Sequence, residues 1–380
     1  MKNEIEISII MPCLNEEKTV GTCVKKAINS IKSLKIKGEV IVVDNGSSDK
    51  SVEVAKKAGA IVILQKKKGI GNATRKGLDV AKGKFLIIGD SDGQHDFNEI
   101  KHFYKKLKEG YDFVIGNRYD SSLKNHPQAT TLLKRIGTTI LTQALNLFYS
   151  VKVSDAHCGF RGISKTSYKK LHLSTEGFEF TSEMIVNAAK RKLRICQIPT
   201  RSYPRDEETK SKISSMKDGW RTLSFLLTQG TNYLFIYPSI LLMAIGLLCF
   251  ILLIHGSIMI FGRLIQYHML YVGMVFLITG YNIFIFGILT KQYSANEKFV
   301  KEDKLTSFVK NLTMDKILIT GLIILGFSVL LFIYSYIAWA STHFKGLLEN
   351  GHIILAMTLL IIGIETIFAG FFSKIIELKR

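Results

Sequence analysis

The sequence predicts an α/β domain, a mainly parallel sheet with helices on both faces, followed by four transmembrane helices. Three observations carry this. Short β-rich apolar runs alternate with helical stretches through the first 116 residues, the spacing of a parallel sheet covered on both sides. Four later runs, at about 238–262, 269–290, 317–340 and 352–372, are long and apolar enough to span a bilayer, and nothing similar precedes residue 230. A chain of 380 residues, 47% apolar, has room for a full catalytic domain in addition to those spans.

In chain order, Ile5–Met11 reads as the first strand, ended by Pro12, and Asn15-Glu16-Glu17 leads into a helix to about Leu34. Val40–Val43 is the second strand, ended by Asp44-Asn45-Gly46-Ser47-Ser48-Asp49, where Ser47 or Ser48 can cap the next helix. Ala60–Leu64 is the third, and Lys66-Lys67-Lys68-Gly69-Ile70-Gly71-Asn72 leads into another helix. Phe85–Ile88 is a buried strand, followed by Asp90-Ser91-Asp92 and Gln94, a helix over Phe97–Lys108 and a strand at Asp112–Ile115. Side chains two apart on a strand point the same way, so Asp90 and Asp92 are expected to project together from its carboxyl end, where open α/β sheets bind ligands. Two carboxylates with Gln94 behind them suit a hard cation such as Mg²⁺ or Mn²⁺. The competing reading is a solvated turn, because Asp, Gly and Ser are ordinary turn formers.

Residues 1–230 are expected to form the catalytic domain and 231–380 the membrane domain. Two amphipathic helices, at about 130–149 and 214–230, carry apolar stripes with Lys134 and Arg135, and with Lys217 and Arg221, beside them. They are either core-facing or interfacial, lying on the bilayer with basic residues at headgroup level. Tyr233, Phe235 and Tyr237 lead from the second into the first span and favour the interfacial reading there. Six lysines in the segment Lys291–Lys316 and the basic Lys379-Arg380 end are expected to place both termini in the cytoplasm. No apolar signal opens the chain, so its first 230 residues are expected to stay on that side. Glu365, within the last span, is either paired inside the bundle or part of a transport path. A net charge of +20 beside four spans points to anionic lipid and substrate phosphates, not nucleic acid. Five scattered cysteines show neither metal-ligand nor paired spacing and fit a reducing cytoplasm.

The motifs Met11-Pro-Cys-Leu-Asn-Glu16, Val43-Asp44-Asn-Gly-Ser-Ser48-Asp49, Lys68-Gly69, Asp90-Ser91-Asp92, Gly116-Asn-Arg118 and Cys158-Gly-Phe-Arg161, in this order, resemble the family-2 glycosyltransferases of GT-A fold. Within them the pattern is most similar to the polyprenyl-phosphate hexose synthases, such as dolichyl-phosphate mannose and glucose synthases and their undecaprenyl-phosphate relatives. The resemblance spans about residues 6–230. It implies transfer of a hexose from a nucleotide sugar to a polyprenyl phosphate at the membrane, with Mg²⁺ or Mn²⁺, and allows a homo-oligomer. Pro12, Leu14, Glu16, Asp44 and Gly46 would border the base and ribose, and Lys68 and Gly69 would close that pocket. Asp90, Ser91 and Asp92 would lie at the diphosphate, with Asp90, Asp92 and Gln94 as metal ligands. Arg118, Arg135 and Arg161 fall where the family gathers charge for the lipid phosphate, and Arg205 and Lys212 in a loop that would close over the diphosphate. The Asp206-Glu207-Glu208-Thr209-Lys210 link in that loop is longer and more acidic than the family's, and Gly93, His95 and Asp96 differ from the mannose-synthase version.

The chemistry is coherent by itself. A metal-bound nucleoside diphosphate is a stabilised leaving group, and a lipid monophosphate is already an anionic nucleophile that needs cations to align it. Glu179 and Glu183 are candidates for a base, or for capping and packing. Two other readings stand beside this one. A processive polysaccharide synthase would carry Gln-x-x-Arg-Trp before its spans, and no such pentapeptide occurs. A lipid-sugar flippase or transporter with a regulatory domain would not need the Asp44, Asp90 and Asp92 set.

Overall fold

The computed structural model describes residues 4–123, 132–204, 215–260, 263–265, 268–296, 305, 308–309, 312–341 and 351–378. It divides into two compact units, Met1–Leu226 and Leu227–Arg380.

The first unit runs β1 (Ile7–Cys13), α1 (Val20–Ser33), β2 (Gly38–Asp44), α2 (Ser51–Lys57), β3 (Ile61–Leu64), α3 (Ile70–Val80), β4 (Phe85–Ile88), α4 (Ile100–Lys108), β5 (Phe113–Asn117), α5 (Leu132–Tyr149), β6 (Arg161–Ser164), α6 (Lys165–Tyr168), α7 (Phe180–Lys190), β7 (Ile195–Pro199) and α8 (Ser215–Gln229). The seven strands lie in the order β3-β2-β1-β4-β6-β5-β7. All neighbours are parallel except β6, which is antiparallel to both β4 and β5. Alternation along β1 explains the two cores. Ile7, Ile9 and Met11 join a cluster with Val24, Phe97 and Phe103, whereas Ile10 joins Leu78, Phe113 and Met184 on the other face. Ser8 would be stranded in the interior, but its hydroxyl donates to Glu39 and accepts from the Gly83 N–H.

Strand order reverses at β1, which has β2 on one side and β4 on the other, so the crevice beyond their carboxyl ends is a topological switch point. Pro12 is tolerated in this central strand because β4 stops pairing at Ile10, before the proline is reached. The antiparallel β6 starts where β4 and β5 finish, with Arg161 opposite both Ile88 and Ile115. That polarity brings the chain before Arg161 to the same edge of the sheet. The sequence reading missed β6 and β7. It also placed Ser47 or Ser48 as the cap of α2, whereas the Ser51 N–H is held by Asp49 at 2.9 Å.

Both amphipathic helices have a core face. Leu145 on α5 and Leu226 on α8 are fully buried, while Ile136, Ile140, Leu147 and Trp220 are exposed. The first stripe therefore divides. Ile136, Ile140 and Leu147 share one solvent-facing line at helical spacing, and Leu145 turns into the core.

The second unit contains α9 (Tyr237–Leu253), a hairpin of β8 (Ile258–Ile260) and β9 (Arg263–Ile265), α10 (Met269–Asn296), α11 (Met314–Ser341) and α12 (Gly351–Leu378). Four helical segments, Asn232–Leu253, Met269–Tyr293, Met314–Ser341 and Gly351–Ile376, are long and apolar enough to cross a membrane. This is a membrane protein. The first span was expected over 238–262, but the helix stops at Leu253 and the hairpin follows Gly256, whose φ of 132° no other residue adopts readily. Small residues let helices approach. A Cβ on Gly246 would lie 2.7 Å from the Gly273 carbonyl. Glu365 is paired inside the bundle, its Oε1 accepting from Asn282 at 3.1 Å.

Candidate active site

The turns after β1 and β2 are laced together. Asn15 takes a left-handed conformation (φ 49°), its N–H donates to Ser47 Oγ at 2.8 Å, and its Oδ1 accepts the Ser48 N–H at 2.7 Å. The Glu16 N–H donates to Ser51 Oγ at 2.7 Å and the Glu16 side chain is buried. Asp44 is buried too, and its carboxylate accepts the N–H groups of Gly46 and Ser47 at 3.1 and 3.2 Å. Pro12 and Asp44, at the ends of β1 and β2, and Leu14, Glu16 and Gly46, on the two adjoining turns, thus sit at one sheet edge.

Asn45, which the sequence reading passed over, ties the lysine loop to these turns. Its Nδ2 donates to the carbonyls of Gln65 and Lys67, and its Oδ1 accepts the Gly69 N–H at 2.7 Å. Gly69 has a φ of 125°, and a Cβ there would collide with the Glu176 carbonyl. Lys68 is exposed beside it, while Lys67 is the lysine that pairs with Glu176.

Strand β4 ends at Ile88, so Asp90 and Asp92 lie on a loop, and strand alternation does not set their directions. Side-chain anchors do. Ser91 Oγ donates to the Pro12 carbonyl at 2.8 Å, and its own carbonyl accepts from Thr19 Oγ1 at 2.8 Å. Asp92 is buried with Oδ1 accepting the Gln94 N–H at 3.0 Å. Asp90 is partly exposed. Its Oδ2 lies 3.3 Å from His95 Nε2, and Gly159 packs so close that a Cβ would come within 2.5 Å of it. Among the described residues no three His, Cys, Asp or Glu side chains form a metal cage. Two carboxylates and an amide oxygen on one loop nevertheless fit a hard cation that keeps waters and takes phosphate oxygens from a ligand. The donor set is that of a shared site, not a closed one.

Tyr203 and Pro204 run beside this loop, with the Tyr203 N–H donating to the Gln94 carbonyl at 2.9 Å. Arg205 and Lys212 lie outside the described residues.

The arginines divide sharply. Arg118 is 16% exposed and grips Asp155, which is fully buried, through Nε at 2.7 Å and Nη2 at 3.0 Å. Burial pulls both groups toward neutrality, but their mutual attraction wins, raising the Arg118 pKa and lowering that of Asp155. Arg161 is 1% exposed and donates to the carbonyls of Cys158, Ala156 and Thr181. Burial pushes its pKa down to about 10, so it remains a cation at neutral pH. Expected at a lipid phosphate, it instead donates to the loop before β6 and to the first turn of α7. Arg135 is exposed on α5, with its guanidinium 5.3 Å from the centre of the Tyr119 ring. Arg118 lies 5.5 Å from that same ring, so Tyr119 brings the two cations together. Glu183 corrects the expectation of a base. Both its oxygens are taken by the N–H and hydroxyl groups of Ser174 and Thr175, at 2.7–3.0 Å. Glu179 differs: its Oε1 accepts from both the Gly177 N–H and Arg221, at 3.2 and 2.9 Å, and its buried Oε2 has no hydrogen-bond partner among the described residues.

Comparison with known proteins gives consistent matches. A family profile described as Glycosyl transferase family 2 matches residues 8–172, and one described as Glycosyltransferase family 2 C-terminal transmembrane region matches residues 288–377. The chain is 29% identical over 366 residues to the low-salt glycan biosynthesis hexosyltransferase Agl6 of Haloferax volcanii, covering 96% of this chain and 87% of that protein. It is 30% identical over 216 residues to the glycosyltransferase AglJ of the same organism, covering 56% and 68%. It is 28% identical over 236 residues to the dolichyl-phosphate beta-glucosyltransferase ALG5D of Trichomonas vaginalis, covering 57% and 71%.

Proposed function

The chain belongs to glycosyltransferase family 2, and from that premise we propose that it transfers a hexose from a nucleotide sugar to a polyprenyl phosphate at the cytoplasmic face of its membrane. The observation that carries the acceptor is on α5. Arg135 is exposed one residue before the outward-facing line Ile136, Ile140 and Leu147, so a phosphate-binding cation adjoins a surface suited to lipid. The relative named as a dolichyl-phosphate beta-glucosyltransferase supports the same acceptor class. The basic loop and C-terminal end support a cytoplasmic face.

Nucleotide binding falls to the turns after β1 and β2, with the Lys68-Gly69 loop across them. Asp90, Asp92 and Gln94 would hold Mg²⁺ or Mn²⁺, which when bound neutralises charge on the leaving diphosphate. The acceptor phosphate is already ionised at neutral pH, consistent with Glu183 being committed to structure. One displacement by the phosphate oxygen breaks the bond between sugar and diphosphate and inverts the anomeric carbon.

A charge-assisted contact to phosphate contributes roughly 1.5–3 kcal/mol, so Arg135→Ala should weaken use of the acceptor about tenfold or more. Arg135→Lys should recover only part, because a point charge cannot make the bidentate contact. Steady-state kinetics with both substrates varied checks this. An effect on nucleotide-sugar affinity alone would contradict the assignment.

A further inference from the structure

His95 follows directly on the carboxylate loop. Its side chain is buried, 5% exposed, and stacks on Phe160 with ring centres 5.2 Å apart and planes 23° apart. Its backbone is fixed as well. Ser202 pairs with it across a short antiparallel bridge, and the Tyr203 N–H donates to the carbonyl of the preceding Gln94. One ring nitrogen, Nδ1, is buried with no hydrogen-bond partner among the described residues. The other, Nε2, lies 3.3 Å from Asp90 Oδ2. A phenylalanine could stack on Phe160 and would leave no ring nitrogen unpaired, so packing alone does not account for an imidazole here. The nitrogen facing Asp90 does. Gly159 abuts the same contact, since a Cβ there would come within 2.5 Å of Asp90 Oδ2 and 3.3 Å of His95 Nε2.

We propose that His95 is a positioning residue for the cation: its Nε2–H donates to Asp90 Oδ2 and fixes the direction in which this carboxylate meets Mg²⁺ or Mn²⁺. The inference rests on the reading that the Asp90–Gln94 loop holds the metal. With the proton on Nε2 the ring donates to an anionic oxygen, whereas the other neutral tautomer would set a lone pair against it. An anchor matters most at Asp90, which is 32% exposed on a loop beyond the end of β4. Asp92 is buried and already accepts the Gln94 N–H. Hydrogen bonds of this kind orient a metal ligand before the ion arrives, and losing one weakens metal affinity about 10–100-fold.

The test titrates Mn²⁺ into the metal-free full chain in detergent, with UDP or GDP present, and reads unbound Mn²⁺ by electron paramagnetic resonance. His95→Phe keeps a ring on Phe160 and removes the donor, and its Kd for Mn²⁺ should rise about tenfold or more. His95→Gln, whose amide N–H can reach toward Asp90, should recover part of that loss. The Mn²⁺ concentration for half-maximal transfer should rise by the same factor as Kd, while kcat at saturating Mn²⁺ falls far less. Thermal unfolding identifies folded variants, and His95→Leu serves where the Phe variant does not fold. Wild-type Mn²⁺ affinity in the folded variant would overturn the positioning role while leaving the metal loop standing. An equal loss in the Gln variant would assign the effect to packing and overturn it too. A wild-type chain that binds no Mn²⁺ would overturn the metal assignment itself and this inference with it.

Discussion

Asp92→Asn should reduce turnover by two or more orders of magnitude while leaving the protein folded. The substitution conserves volume and the oxygen that accepts the Gln94 N–H, so the loop keeps its shape. It removes one of the two carboxylate charges that would hold the cation. Stabilising a leaving diphosphate by a metal is worth several kcal/mol, and each 1.4 kcal/mol is about tenfold in rate. Nucleotide-dependent transfer measured beside thermal unfolding separates this from misfolding. EDTA should impose a similar loss on wild type, reversed by Mg²⁺ or Mn²⁺. Activity unchanged in EDTA would show that the Asp90–Gln94 loop holds no catalytic metal.

Asp155→Ala should instead act on stability. Asp155 is fully buried and accepts from Arg118 Nε and Nη2 and from the N–H groups of Arg118 and His157. Its removal takes the buried carboxylate away from a largely buried guanidinium, a loss of about 3–5 kcal/mol. Because the Asp155 pKa is lowered in the fold, the pair's contribution is complete above the ordinary carboxylate range and disappears as acid protonates Asp155. Unfolding of the detergent-solubilised chain checks both points. A variant as stable as wild type at neutral pH would show that Arg118 finds water or another partner.

Local signals made much of this readable beforehand. β1, β2 and β4 announce themselves as apolar runs cut short by turn residues, and the residues just beyond them are those the fold gathers at the switch point. β6 does not, because it is four residues long, opens on an arginine and runs against its neighbours. Tertiary pairings also leave no local trace. Arg118 and Asp155 are 37 residues apart, and nothing near either shows that they bind each other rather than a ligand. Arginine type and motif position suggested three equivalent phosphate contacts, but burial separates Arg161 from exposed Arg135.

The central claim is sugar transfer to a lipid phosphate from the cytoplasmic side, and one measurement addresses it directly. Membranes containing the full chain are prepared as inverted and as right-side-out vesicles, loaded with polyprenyl phosphate or free polyprenol, and given labelled UDP-glucose or GDP-mannose from outside. The account predicts an acid-labile lipid-linked sugar from one of these donors, formed in inverted vesicles with polyprenyl phosphate and absent with polyprenol or in right-side-out vesicles. Equal labelling of polyprenol and its phosphate, or labelling only in right-side-out vesicles, would contradict it.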